Sequence, residues 1–175
     1  MFQKIAIALV VFIGLVLLFA LTRPDSFTVE RRITIKAPPD KVFALVNDFH
    51  HWPAWSPWEK LDPAMKRTHS GANSGVGAVY AWEGNDKVGA GRMEITSAQA
   101  PGQLDIKLDF LRPFASSNTT RFALKPQAEG TEFVWTMQGP MLYISKLMSV
   151  FVSMDSMIGK DFEAGLANLK AVAEK

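Results

Sequence analysis

Few side chains in this 175-residue sequence combine the residue type and the spacing that enzymes use for chemistry. His50 and His51 are adjacent and therefore point apart, and His69 is isolated, so no metal-binding spacing such as HxH or HExxH occurs. The absence of cysteine excludes a thiol nucleophile, and no Gly-x-Ser-x-Gly turn presents a serine. The sequence therefore predicts no catalytic residue, no metal site and no cofactor.

Four charged side chains on predicted strands are candidates for a chemical role. Glu83, Arg92 or Glu94 could place a charge near a pocket, where a desolvated carboxylate could act as a general base. Strand alternation instead places all three on the solvated face. Arg31 is the one charge in an otherwise apolar row. It could face a ligand head group or a buried acid, or it could lie at a sheet edge open to water.

Large apolar side chains give a stronger indication of function. Trp52, Trp55 and Trp58 lie in one short segment, where they could line a pocket, pack short helices onto a sheet or lie at a membrane interface. Other aromatic and methionine side chains fall on the predicted inner face of the sheet and at the start of the last helix, where core packing is the alternative. The predicted ligand-binding residues are Trp55, Trp58, Tyr80, Trp82, Phe110, Phe122, Trp135, Met137, Phe151 and Met154.

The N-terminal segment is apolar enough to enter a membrane. Residues 5–21 contain only Ile, Ala, Leu, Val, Phe and one Gly, and as a helix they would extend roughly 26 Å. This length approaches the ~30 Å hydrocarbon core of a bilayer, and Lys4 and Arg23 could snorkel to its surfaces. Residues 1–22 are therefore predicted to be an anchor. A cleaved signal peptide is the alternative, although Ala20-Leu21-Thr22 makes a poor cleavage site.

The remaining sequence predicts one α+β domain over residues 27–175, joined to the anchor by a linker at 23–26. Alternating apolar residues predict a first strand at 27–36 and an antiparallel meander from 79 to 137. A short helix and one or two helical turns lie between them. An apolar stripe from Leu147 to Leu169 predicts a last helix, with Gly159 as a position where it could bend or divide.

Charge and composition restrict the class of partner. The chain has 19 Lys and Arg against 17 Asp and Glu, and no run of basic residues. We therefore expect no nucleic-acid partner. The sequence leaves open the oligomeric state and the side of the membrane that carries the domain.

Four segments resemble the polyketide cyclase/dehydrase branch of the START-like (SRPBCC, helix-grip) superfamily. The resemblance covers residues 27–172 in matching order and spacing. The segments are Ala37–Phe43 with the tryptophan-rich stretch to Trp58, Tyr80–Asn85, Gly89–Ile95 and Gly159–Leu166. The resemblance implies a curved antiparallel sheet wrapped around a long C-terminal helix, with a hydrophobic pocket between them.

Three functional hypotheses follow from this resemblance. The leading one is a membrane-anchored domain that binds or transports a hydrophobic small molecule, such as a lipid, a quinone or a polyketide-like compound. The second is a cyclase or dehydratase, which would need at least one buried acid or base in the cavity. The third is a membrane-tethered scaffold without a ligand, whose core would be filled by side chains.

Overall fold

Seven strands form one antiparallel sheet in the computed structural model, which describes residues 2–175. The strand order is β1-β7-β6-β5-β4-β3-β2, so the first strand pairs with the last and the others form a meander. Register shifts between β4 and β5 increase the bending of the sheet. The strands are β1 (Ser26–Ile35), β2 (Lys66–Gly71), β3 (Ala78–Glu83), β4 (Ala90–Gln99), β5 (Gln103–Arg112), β6 (Ser116–Gln127) and β7 (Gly130–Pro140).

Within residues 2–175, four α-helices accompany the sheet. The last of them, which is the longest helix after β1, crosses the concave face of the sheet. They are α1 (Phe2–Leu21), α2 (Pro39–Val46), α3 (Tyr143–Met148) and α4 (Met154–Ala173), and two short 3-10 helices span Phe49–Ala54 and Pro57–Lys60. Phe162, Leu166 and Leu169 give α4 a buried apolar face. This arrangement confirms the predicted α+β helix-grip fold with an apolar N-terminal helix.

The core lies between α4, the sheet and the tryptophan-rich segment. The Trp135 and Phe162 rings stack with their centroids 4.2 Å apart, which joins β7 to α4. The Trp55 ring lies against Trp135 at 5.8 Å and against Phe122 at 6.3 Å, in both cases edge to face. These aromatic contacts fill the interior at this level of the sheet.

The last helical region differs from the prediction of one helix. The structure divides it at residues 149–153, upstream of Gly159. The chain turns tightly there, and the Ser153 hydroxyl then accepts a hydrogen bond from the Ser156 amide at 3.1 Å, which caps the start of α4. The apolar stripe in the sequence therefore belongs to two helices. Leu147 lies in α3, and the members of the stripe from Met154 onward lie in α4.

The two ends of the sheet can be distinguished by their neighbours. β1 begins at Ser26, opposite Pro140 at the end of β7, so this end lies next to the C-terminus of α1 and is called the α1 end. Because every strand pair is antiparallel, the turns at 84–89 and 113–115 also lie at the α1 end. The turn at 72–77 lies at the opposite end, here called the far end.

Helix α1 is long and apolar enough to cross a membrane by length and composition. Nearly all of its side chains are exposed, and Ala20 is its only buried residue among those the structure describes. Exposed apolar side chains over a whole helix are unfavourable in water, and lipid or another apolar surface would cover them.

Candidate functional site

A cavity of about 300 Å³ lies between the sheet, α4 and the second 3-10 helix. It is nearest the α1 end, because its lining includes Lys87 and Val88 of the 84–89 turn and Met65 just before β2. The full lining is Trp52, Ser56, Trp58, Glu59, Met65, Tyr80, Trp82, Lys87, Val88, Met93, Leu108, Phe110, Met137, Ile158, Asp161 and Phe162.

The apolar walls of the cavity are built by alternate residues of neighbouring strands. Trp82 of β3 is the register partner of Gly91 on β4. A Cβ at position 91 would overlap the Trp82 ring, so the glycine makes room for the indole. The indole N–H donates to the Val88 carbonyl at 3.0 Å, and this bond ties the 84–89 turn to the cavity wall.

One wall carries a buried carboxylate. The Glu59 side chain is only 7% exposed. Its Oε1 accepts a hydrogen bond from the Tyr80 hydroxyl at 2.5 Å, and its Oε2 accepts one from Arg67 Nε at 2.7 Å. Burial and the adjacent Glu59 carboxylate raise the pKa of Tyr80 above its usual range, and the bond to Glu59 raises the pKa of Arg67. The three groups therefore form a charge-balanced polar patch within apolar surroundings.

Two further ionisable residues line the cavity. Lys87 is exposed on the turn at the α1 end, and Asp161 is partly buried on α4. Together with Glu59 they give the cavity a few polar groups within a mostly aromatic and aliphatic lining. The charged residues considered from sequence lie elsewhere, since Glu83 is 67% exposed and Arg92 pairs with Glu94 at 2.7 Å.

Half of the predicted ligand-binding residues meet in this cavity. Trp58, Tyr80, Trp82, Phe110 and Met137 line it.

The other five lie outside the cavity lining. Trp55, Phe122 and Trp135 are buried in the adjoining core, and Met154 packs against that core from the first turn of α4. Phe151 lies in the turn before α4 with 69% of its surface exposed. The break in the last helical region accounts for this position, because a residue outside the helix does not follow the helical stripe.

The buried acid was not predicted from the sequence. Glu59 lies in a 3-10 turn with no periodic pattern, and its partners Arg67 and Tyr80 come from two different strands. One feature of the sequence indicates this burial. Glu59 directly follows the aromatic Trp-Ser-Pro-Trp run, and an acid next to a buried aromatic cluster can be buried with it.

Arg31 makes contacts that explain its place in an apolar row. Its guanidinium forms ion pairs at 2.7 Å with Asp155 and with Glu163, both on α4. A Cβ at Gly159 would overlap that guanidinium, so the glycine lets the arginine lie across the helix. Arg31 therefore joins the edge strand to α4 at the surface and does not line the cavity.

Comparison with known proteins identifies the family. The model of the polyketide cyclase / dehydrase and lipid transport family matches residues 26–174. The chain belongs to this family. The match confirms the resemblance noted in the sequence and covers nearly all of the chain that follows α1. No curated protein matches the sequence significantly.

Solved structures with the same fold come from several kinds of protein. The di-domain ARO/CYC StfQ from the steffimycin biosynthetic pathway aligns with a TM-score of 0.62 and 10% identity, over 86% of this chain and 51% of that one. Ginseng major latex-like protein 151 from Panax ginseng aligns at 0.61 and 14%, over 86% and 99%. The Aha1 dimer from Colwellia psychrerythraea aligns at 0.60 and 16%, over 85% and 96%. At these identities the likeness shows the fold alone.

Proposed function

We propose that this chain binds a hydrophobic small molecule in the cavity and is held at a membrane by α1. The observation that carries the proposal is the cavity of about 300 Å³ with aromatic and aliphatic walls. Burial of an apolar ligand there is favourable by roughly 25 cal/mol per Å² removed from water. An open cavity of this size does not suit the ligand-free scaffold, whose core would be filled.

The few polar groups in the cavity lining favour an amphiphilic ligand, with one polar end and an apolar body. Glu59 is balanced by Arg67 and Tyr80, so it adds little net charge to the wall. Lys87 lies on the turn at the α1 end, where a ligand's polar group would be closest to solvent. A lipid, a quinone or a polyketide-like compound with one polar end fits this distribution, and lipid transport is within the description of the family.

The membrane anchor supports the same proposal. Helix α1 spans 20 residues, and its exposed apolar surface matches a bilayer interior. An uncleaved α1 would keep the cavity close to ligands dissolved in the membrane, which raises their effective concentration at the domain. A cleaved signal peptide would instead release residues 23–175, and the intact mass of the purified protein distinguishes the two.

A direct test fills the cavity with a larger side chain. Leu108 lines the cavity from β5, whereas Leu111 on the same strand is 62% exposed and lies outside the lining. We expect the full chain and Leu111→Trp, after gentle extraction, to show bound small molecules by native mass spectrometry. Leu108→Trp should lose most of the bound mass because the indole occupies the ligand's space.

Two results would contradict binding in the cavity. One is recovery of only empty wild-type protein from several lipid backgrounds. The other is equal bound mass in Leu108→Trp and Leu111→Trp, which would place the bound molecules on α1 or elsewhere. Thermal unfolding of both variants serves as the folding control, since overpacking a core typically costs about 1–3 kcal/mol.

A cyclase or dehydratase is the second candidate because ionisable groups do line the cavity. Glu59, Tyr80, Lys87 and Asp161 are ionisable groups of the lining that could exchange a proton with a substrate. Both Glu59 oxygens already accept hydrogen bonds from neighbouring side chains, so this carboxylate is poorly placed to act as a base. Turnover of a polyketide-like substrate that is lost in Asp161→Asn would favour the enzyme over the binding protein.

A further inference from the structure

An exposed apolar surface follows β7, in residues 142–152. It comprises α3 and the turn before α4, and is here called the α3 segment. Phe151 is 69% exposed, Val152 48%, Tyr143 45% and Met148 43%. Leu142 and Ile144 add exposed fractions of 40% and 38%. Six exposed large apolar side chains within eleven residues indicate a surface that is covered when the protein functions.

Three residue pairs connect the α3 segment to the last turns of α1 and to the linker that follows it. The Tyr143 hydroxyl donates to the Leu17 carbonyl at 3.1 Å. Arg23, just beyond α1, donates to the Ser149 carbonyl at 3.0 Å, and Lys146 pairs with Asp25. The segment is thus held beside the last turns of the apolar helix.

The depth of these contacts points to lipid as the covering phase. Leu17 lies four residues before the end of α1 at Leu21, which corresponds to about 6 Å along the helix. A bilayer that surrounds α1 to its end therefore also surrounds the Tyr143 side chain. Tyrosine is enriched at the membrane–water interface, where its ring is buried and its hydroxyl makes polar contacts.

We propose that the α3 segment is a second membrane contact, with its apolar side chains inserted into the interfacial region of the bilayer beside α1. This inference rests on the proposed anchoring by α1 but adds a surface of the folded domain to it. An interfacial helix of this kind binds through its buried apolar face and lies in the plane of the membrane.

The segment also sets the position of the cavity. It leads directly into α4, whose second turn lines the cavity through Ile158. The cavity is nearest the α1 end of the sheet, where the 84–89 turn contributes Val88. Insertion of the α3 segment therefore brings the ligand cavity next to the bilayer, so that the domain is not left free to swing on its linker.

Site-directed spin labelling tests this contact, because the chain has no native cysteine to remove. Single-cysteine variants Ile144→Cys and Phe151→Cys would be labelled in the full-length protein in phosphatidylcholine/phosphatidylglycerol vesicles. Leu9→Cys in α1 is the lipid-exposed reference. Val76→Cys, at a residue 59% exposed in the turn at the far end, is the water-exposed reference.

The measurement is the ratio of collision rates with oxygen, which concentrates in lipid, and with a water-soluble nickel complex. We expect this ratio at Ile144→Cys and Phe151→Cys to be several-fold higher than at Val76→Cys and to approach that at Leu9→Cys. Thermal unfolding of each labelled variant shows that the domain remains folded.

Two outcomes would overturn the proposal, and they differ in whether anchoring by α1 is also rejected. Ratios at Ile144→Cys and Phe151→Cys equal to that at Val76→Cys, with Leu9→Cys in lipid, would reject insertion but keep the anchor. A water-exposed Leu9→Cys would reject both membrane contacts. In either case, ligand binding is judged separately by the comparison of Leu108→Trp with Leu111→Trp.

Discussion

At the scale of single residues, the buried Glu59 is the most constrained charge in the cavity. Arg67 and Tyr80 each satisfy one of its oxygens, and removal of either partner leaves a desolvated carboxylate with less compensation. The Tyr80 hydroxyl therefore has a structural role as well as a place in the cavity wall. Its ring packs 5.9 Å from Phe49 and 6.2 Å from Trp82, between centroids.

Tyr80→Phe isolates the hydroxyl because it keeps the ring contacts. We expect the free energy of unfolding at pH 7 to fall by about 1.5–3 kcal/mol, the range for a hydrogen bond to a charged partner. Above about pH 10 the wild-type protein should lose further stability, because tyrosine ionises in the unfolded chain while folded Tyr80, with its raised pKa, keeps its proton. The variant should lose less stability over this range, as measured by urea unfolding at each pH.

A double-mutant cycle with Glu59→Gln provides the control. If the Tyr80 hydroxyl acts through Glu59, the effect of Tyr80→Phe should shrink when Glu59 is already replaced. An equal effect in both backgrounds, or an unchanged alkaline slope, would show that this hydrogen bond does not determine the stability of the site.

On the strands, the sequence predicted aromatic side chains that face inward but not which of them border the cavity. Phe110 and Phe122 both occupy inward positions of neighbouring strands, and alternation treats them alike. In the structure Phe110 pairs with Ser116 near the α1 end, whereas Phe122 pairs with Leu104 farther along the sheet and lies in the core. Whether an inward-facing residue borders the cavity therefore depends on its position along the strand. The tryptophan-rich segment fills the interior at the level of Phe122 but not at the level of Phe110.

At the scale of elements, α4 approaches the rest of the domain at two glycines. At Gly165 an added Cβ would lie 2.9 Å from the Trp135 ring and 3.1 Å from the Pro57 ring. At Gly159 its three nearest atoms all belong to the Arg31 guanidinium. Both rings at Gly165 are rigid and packed, whereas an arginine side chain can move away.

We predict that the two Gly→Ala substitutions in α4 change the free energy of unfolding by different amounts. Alanine favours the helix by about 1 kcal/mol at either position. In Gly165→Ala, overpacking against rigid rings should outweigh this gain and lower the free energy of unfolding by about 1–2 kcal/mol net. Gly159→Ala should change stability less, because the displaced Arg31 forfeits only exposed ion pairs. Urea unfolding of both variants measures the difference.

The two positions are matched in helix and substitution, so intrinsic propensity cancels between them. A Gly165→Ala protein that is as stable as Gly159→Ala would show that α4 can shift away from Trp135 without cost. It would then follow that the close approach of the helix is not needed for the fold.

A periodic apolar pattern made most of the elements predictable from the sequence, whereas β2 and the break before α4 were not predicted. The first strand, the meander from β3 to β7 and the C-terminal helix all follow such patterns. β2 is an edge strand whose six residues are almost all exposed, so no alternation marks it. The break before α4 was also missed, because it depends on the Ser153 cap and on contacts of α3 with α1 that lie far apart in sequence.

At the scale of the whole molecule, the proposed functions depend on how the domain is oriented at the membrane. The linker between α1 and β1 is short, and Lys146 with Asp25 and Arg23 with Ser149 bridge it to the α3 segment. The cavity lies at the same end of the sheet. An amphiphile that leaves the bilayer at this end would have little water to cross before it reaches Trp58 and Trp82.

This orientation predicts a kinetic effect of changes at Phe151 and Val152, which lie outside the cavity. In nanodiscs that contain an anthroyloxy-labelled fatty acid, the double variant Phe151→Ser/Val152→Ser should take up the probe several-fold more slowly than the wild-type protein, at the same final occupancy. Energy transfer from the cavity tryptophans to the probe follows the uptake. Val76→Ser, at the far end of the sheet, should behave as wild type. Equal rates in all three proteins would mean that α1 alone delivers the ligand, and a lower final occupancy would mean that the two residues contribute to the binding site itself.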